Sequence, residues 1–151
     1  MTGATTGRLS IIVPMYNTAD YLTVCLESIA QQTFGDFEVV MVDDGSPDNS
    51  AELARAFASK DPRFRLVQQE NQGLGAARNT GAAHARGELI AFVDSDDVLP
   101  AHAYEVLVST IERSGSDIAS GYVRRFNSVG SKRLGFLDAA FRQTVRALRR
   151  R

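Results

Sequence analysis

The feature that most restricts how this chain can fold is a regular alternation of two kinds of segment. Short runs rich in apolar and β-branched residues, "LSIIV" (Leu9–Val13), "FEVVMV" (Phe37–Val42), "RFRLVQQ" (Arg63–Gln69) and "ELIAFV" (Glu88–Val93), are separated by longer stretches of helical character. A continuous apolar run is the pattern of a strand covered on both faces. After the first run, Leu22, Leu26 and Ile29 recur at helical spacing behind Asp20, a candidate cap. Ser46 and Pro47 mark the start of a second helix ending near Lys60. The stretch from Gly75 to Arg86 is alanine-rich and helical although Gly81 weakens it, and Gly87 can terminate it. Pro100 opens a fourth helix with Val106, Leu107 and Ile111 inward and Gly115 at its end, and "DIASGYVRRF" (Asp117–Phe126) reads as a fifth strand. Connections of this length are those that parallel crossovers need. The expected fold class is therefore an α/β sandwich with a mostly parallel sheet.

A chain of 151 residues, 44% hydrophobic, can bury one ordinary core. Its single cysteine, Cys25, excludes an internal disulfide and reads as a small buried hydrophobe within a helix. The start "MTGATTGR" shows no secretory pattern, and the longest apolar run, "IIVPM", is too short to cross a bilayer. The net charge of -1 conceals an asymmetry: residues 118–151 carry nine Lys/Arg against Asp138 alone, a net +8, which leaves -9 for residues 1–117. The organisation expected is a mobile tail over 1–8, a ligand-binding domain over 9–126 and a basic amphipathic segment over 127–151.

In open α/β sheets ligands bind beyond the carboxyl ends of the strands. The unusual residues fall there four times: "PMYN" after the first strand, "DDGS" after the second, "NQGLGAAR" after the third and "DSDD" after the fourth. Four loops in sequence order would line one crevice. The last is the most demanding electrostatically, because Asp94, Asp96 and Asp97 stand within four residues and repel one another unless something positive sits among them. One answer is a solvated turn with Asp97 capping the next helix. The other is a divalent cation, with Asp94 and Asp96 pointing to the same side of a strand end and supplementing the oxygens of a diphosphate.

The other loops each admit two readings. Tyr16 in "PMYN" is either a partly buried turn residue or a face on which a flat base stacks, with rigid Pro14 fixing the loop. Asp44 either shapes a turn or accepts the ring N–H of a pyrimidine such as uracil. Arg78 is either a surface charge on a helix or a group facing the ligand; it also occupies a position where a dinucleotide fingerprint would need glycine, so an NAD site is rejected. No Walker-type phosphate loop is present, and His84 and His102 lack any spacing that suggests zinc. A phosphoacceptor receiver domain would need its acidic pair after the first strand and a lysine after a later one. Here the pair follows the second strand and the only lysines are Lys60 and Lys132.

Taken together, "LSIIVPMYN", "TVCLESIAQQTFGDFEVVMVDDGSPDNS" and "NQGLGAARNTGAAHARGELIAFVDSDD" resemble the nucleotide-sugar-binding half of a family 2 glycosyltransferase, over roughly residues 8–125. The resemblance implies the A-type glycosyltransferase fold, a Rossmann-like α/β/α sandwich, here incomplete at the C-terminus. It implies a nucleotide-sugar donor, most often a UDP-sugar, a Mn or Mg cofactor, and inverting transfer to an acceptor hydroxyl in glycan or cell-envelope polysaccharide synthesis. Carried over by position, Pro14 and Tyr16 match the loop that meets base and ribose. Asp44 matches the carboxylate on the uracil ring, and Arg78 matches a basic residue near the nucleotide. Asp96 matches the direct metal ligand, and Asp94 a ribose or water-mediated metal contact.

The resemblance stops at the acceptor half. Inverting transfer needs a general base, which the family places well downstream of the metal motif, whereas only Asp117 and Asp138 follow Glu112 here, so no catalytic residue is assigned. The alternative is a nucleotide-sugar-binding module without transfer activity of its own. In the tail, Leu137, Phe141, Val145 and Leu148 share one helical face with Arg142, Arg146, Arg149 and Arg150 around it. Such a helix can lie on an anionic membrane, which would suit a lipid-linked acceptor, or dock on its own domain. Nucleic acid is not expected as a partner, given the acidic remainder. The expected location is cytoplasmic, extending to the cytoplasmic membrane surface.

Overall fold

A computed structural model describes residues 7–121 and the backbone of 147–149. Four strands alternate with four helices as expected: β1 (Leu9–Met15), α1 (Ala19–Ala30), β2 (Phe37–Asp43), α2 (Ser50–Ala58), β3 (Phe64–Gln68), α3 (Leu74–His84), β4 (Leu89–Phe92) and α4 (Ala103–Ser114). Two short strands follow, β5 (Ile118–Ala119) and β6 (Ala147–Arg149). The sheet order is β3-β2-β1-β4-β6-β5. β1 to β4 pair in parallel, and β6 lies antiparallel between β4 and β5.

The apolar runs are covered on both sides, as their continuity demands. Leu9, Ile11, Val13 and Met15 of β1 pack with Leu22, Leu26 and Ile29 of α1, Ala54 of α2, and Tyr104, Leu107, Val108 and Ile111 of α4. The intervening Ile12, with Val40, Val42 and Ile90, packs on the other face against Ala77 of α3 and Ala85. Three helices thus cover one face and α3 the other. Gly81 explains itself in this arrangement: a Cβ there would collide with the Ile12 side chain, so its absence lets α3 approach the sheet.

Several boundaries differ from the sequence expectation. Pro14 does not stop β1; it pairs with Val42, and the strand continues to Met15. Even-numbered residues of β1 bond toward β4, with Leu89 N–H donating to Arg8 O and Val93 N–H to Ile12 O, whereas odd-numbered ones bond toward β2. The missing N–H of Pro14 therefore falls on the β4 side, where pairing has ended at Ile12 and Phe92. Proline terminates one ladder and leaves the other intact, so β1 and β4 part at their carboxyl ends. This is also the point where the winding direction reverses, the place where open α/β sheets form a crevice.

Gly7 is buried, and Arg8 donates its N–H to Asp36 Oδ1 and accepts from Leu89 N–H, so these two residues belong to the domain and not to a tail. α2 begins at Ser50, not Pro47, and α4 at Ala103, not Pro100. Gly115 ends α4 in the left-handed conformation, φ 65°. The fifth strand is confined to Ile118–Ala119, with residues 122–126 of its expected span outside the described residues. The tail's expected helical face is interrupted: Ala147–Arg149 is a strand, while Leu137, Phe141, Val145 and the remaining arginines fall outside the described residues. Among the described residues no helix is long and apolar enough to cross a membrane.

Candidate functional site

The carboxyl ends of β1 to β4 carry the four loops that the sequence marked, and hydrogen bonds stitch them together. Asp43 and Asp44, where β2 ends, are both 3% exposed. Asp43 accepts from Ser46 N–H at 3.1 Å and from Gln68 Nε2 at 3.1 Å. Asp44 accepts from Gln69 Nε2 at 2.7 Å, Gln72 N–H at 2.9 Å and Gly73 N–H at 2.8 Å. Its carboxylate therefore holds the loop after β3 and fixes where α3 begins. Gly73, at φ 88°, adopts a conformation that suits glycine, and Gly45, at φ 71°, passes beneath the Asn71 backbone.

α3 then delivers Arg78 to the acidic turn. One guanidinium nitrogen, Nη2, lies 2.6 Å from Asp94 Oδ1, and the Nε of Arg78 is buried without a hydrogen-bond partner. Asp94 to Asp97 form a tight turn closed by Asp97 N–H to Asp94 O at 2.9 Å. β4 has ended at Phe92, so the period-two argument that set Asp94 and Asp96 on one side of a strand does not apply. Nor does Asp97 cap a helix, since α4 begins six residues later at Ala103. Among the described residues, the positive group that meets these carboxylates is Arg78.

The mutual repulsion of the clustered carboxylates registers in neighbouring groups. Burial, followed by the charges of Asp96 and Asp94, raises the Asp97 carboxyl above its ordinary range. Cys25, on α1 beneath the turn, donates its thiol to Asp94 O at 3.6 Å. Burial first, then Asp97, Asp96 and Asp94, push that thiol up to about 12, so Cys25 is a core residue and not a nucleophile. Tyr104 of α4 is fully buried, its hydroxyl without a hydrogen-bond partner, and burial raises its pKa well above the ordinary value.

Among the described residues no group of three or more His, Cys, Asp or Glu side chains is arranged to hold a metal ion by itself. Asp94 and Asp96 are nevertheless hard oxygen donors, and Mg²⁺ in particular is commonly held by one or two carboxylates plus phosphate oxygens and water. The donor set fits such an ion on the condition that a diphosphate completes it.

Tyr16 is half exposed at the mouth of the crevice. Asn17 beside it is the one described non-glycine residue with positive φ, 55°. Its N–H bonds Ser46 Oγ at 3.2 Å, Thr18 N–H bonds Ser50 Oγ at 3.1 Å, and Ala19 N–H bonds Asp48 Oδ2 at 2.9 Å. Sequence reasoning missed Asp48, Ser50 and Gln69, and it assigned the cap of α1 to Asp20, which lies in the first turn without a cap bond. The available signal was Asp48 itself, an Asx residue two positions before a helix.

The chain is similar to known proteins over most of its length. The model of Glycosyl transferase family 2 matches residues 10–144. Glycosyltransferase GlyG of Streptococcus pneumoniae serotype 4 is 43% identical over 75% of this chain and 38% of its own length. The crystal structure of S. aureus TarS 1-349 in complex with UDP-GlcNAc superimposes with a TM-score of 0.74 at 33% identity, covering 83% of this chain and 37% of that one. Mannosyltransferase PcManGT from Pyrobaculum calidifontis, in complex with GDP-Man and Mn2+, does so with a TM-score of 0.57 at 34% identity, over 63% of this chain and 29% of that one. The chain thus spans little more than a third of GlyG and of the TarS fragment. With the family model covering most of its length and the crevice loops in the expected order, the chain belongs to glycosyl transferase family 2.

Proposed function

We propose that this chain is the donor-binding part of a metal-dependent inverting glycosyltransferase that uses a nucleotide-sugar, of the UDP class, and delivers the sugar to an acceptor hydroxyl of a glycan or lipid-linked glycan. The observation that carries this reading is the meeting of Arg78 with Asp94 at the switch point between β1 and β4. There three carboxylates stand beside one arginine, so that a divalent cation would offset the carboxylates and, together with Arg78, would meet the charge of a diphosphate. The UDP-GlcNAc complex of TarS supports the nucleotide class.

In this reading Tyr16 provides the stacking face for the base, and Pro14 supports it by ending the ladder to β4. Asp44 already accepts three N–H bonds, and its remaining acceptor capacity serves the pyrimidine ring N–H. Arg78 exchanges part of its contact with Asp94 for the diphosphate. Asp96, with Asp94, would hold the cation, which when bound offsets the negative charge of the departing nucleotide. The residues described here bind and orient the donor, and no group among them is assigned as the base.

A second reading is a nucleotide-sugar-binding module without its own transfer step, since no group among the described residues is assigned as the general base. Donor binding without transfer to any acceptor would distinguish it. The first experiment is calorimetric titration of UDP into the chain, with Mn²⁺ and with chelator, repeated on Asp96→Asn. Metal-dependent binding that the variant loses is the expected result. A folded wild type that binds no UDP in either condition overturns both readings.

A further inference from the structure

Three consecutive backbone N–H groups, those of Asn17, Thr18 and Ala19, are all satisfied by side chains of the loop after β2 and of the first residue of α2. α1 has no side-chain cap of its own, and neither has α2 from Asn49. Asp48 supplies both: Oδ2 accepts from Ala19 N–H, the first residue of α1, and Oδ1 accepts from Ser50 N–H, the first residue of α2, at 3.1 Å. Burial works against its charge, but the Ser50 hydroxyl and the N–H groups of Ala19 and Ser50 outweigh that and hold the carboxyl below its ordinary range. A single carboxylate thus closes two helix N-termini whose unpaired N–H groups and dipoles favour an anion.

The consequence reaches Tyr16. The residue after it, Asn17, carries the strained positive φ, and such backbone persists only where its surroundings over-determine it. Ser46, which bonds Asn17 N–H, is itself held by Asp43. We propose that Asp48 is a positioning residue for donor binding: by clamping the start of α1 to the start of α2 it presets the loop that presents Tyr16 to the base. The proposal rests on the nucleotide reading above.

The test is a double-mutant cycle on UDP affinity, in Mn²⁺, with Asp48→Asn and Tyr16→Ala in the full chain. Asparagine keeps one acceptor oxygen and loses the charge, so one of the two helix starts is left open. Asp48→Asn alone is expected to weaken UDP by about three- to tenfold, the population shift that loss of a cap allows. In the Tyr16→Ala background it should weaken UDP no further, because the face it positions is gone. Hydrogen exchange without ligand should show faster exchange at Asn17, Thr18 and Ala19 in Asp48→Asn, with β4 unchanged. Ser46→Ala, which removes only the bond to Asn17, should reproduce part of the loss and guards against misfolding of the first variant. Additive losses in the cycle, or unchanged exchange at those three amides, overturn the positioning role while leaving the nucleotide reading in place. A wild type that binds no UDP overturns the nucleotide reading and this role with it, whatever the exchange arm reads.

Discussion

The two ends of the parallel sheet handle buried charge in opposite ways. At the amino ends of the strands, Glu38 is buried yet amply partnered: its Oε1 accepts from Ser10 Oγ at 2.6 Å and from Arg86 N–H at 2.7 Å, and its Oε2 lies 3.5 Å from Arg65 Nε. Ser10 Oγ in turn accepts from Gly87 N–H at 2.8 Å. At the carboxyl ends, Arg78 meets an acidic turn of three aspartates whose mutual charge leaves Asp97 with a raised pKa. A network that pairs its buried carboxylate serves stability. An unbalanced one has free energy to gain from a ligand of complementary charge, which is why the ends differ although both are built from the same strands.

Cys25 offers the largest effect with which to challenge this contrast. With its thiol pushed up to about 12 from 9.0, the thiolate fraction at pH 8 falls roughly a thousandfold. Iodoacetamide should leave the native chain almost unmodified and alkylate it readily in urea. Ready modification of the native chain would mean that the acidic turn above Cys25 opens, and that the carboxyl end is looser than its packing suggests.

Glu38→Ala tests the other end. It takes an acceptor from Ser10 Oγ, the Arg86 amide and Arg65 and leaves a buried hole, while Ser10 Oγ still accepts from the Arg86 and Gly87 amides. It should cost about 2 kcal/mol in urea denaturation. UDP affinity should stay within about twofold once the chain is folded, because the network lies at the far side of the sheet. A loss of affinity as large as the loss of stability would show that the two ends are coupled and erase the distinction.

Asp61 gives the smallest effect and the pH dependence. The Arg63 guanidinium, through Nε at 3.0 Å and Nη2 at 2.7 Å, holds its carboxyl below the ordinary range despite partial burial. A lowered folded-state pKa contributes stability that is present above the unfolded carboxyl range and is lost as pH falls through the folded value. Asp61→Asn should therefore be less stable than wild type at pH 7, by about 0.5 kcal/mol for a pair this exposed, with the gap closing in acid. Thermal melts at pH 7 and pH 3 measure it, and a gap that persists at pH 3 would show that packing of Arg63 over the Phe37 ring, not charge, is what the variant disturbs.

Much of this molecule was legible without coordinates because its signals are local. Continuous apolar runs dictate buried strands, helical spacing of Leu22, Leu26 and Ile29 dictates α1, and Gly115 in a left-handed turn stops α4. The loops that gather at the carboxyl ends follow from β/α alternation alone. What the sequence could not reveal depends on partners distant along the chain. Pro14 reads as a strand end until the ladders show that its missing N–H faces only β4. Asp20 reads as the cap of α1 until Asp48, 29 residues from Ala19, takes that place. Three clustered aspartates call for a positive charge, and sequence alone suggests a metal. The tertiary structure places Arg78 there, because a side chain 16 residues away reaches Asp94 only once Gly81 has let α3 settle on the sheet.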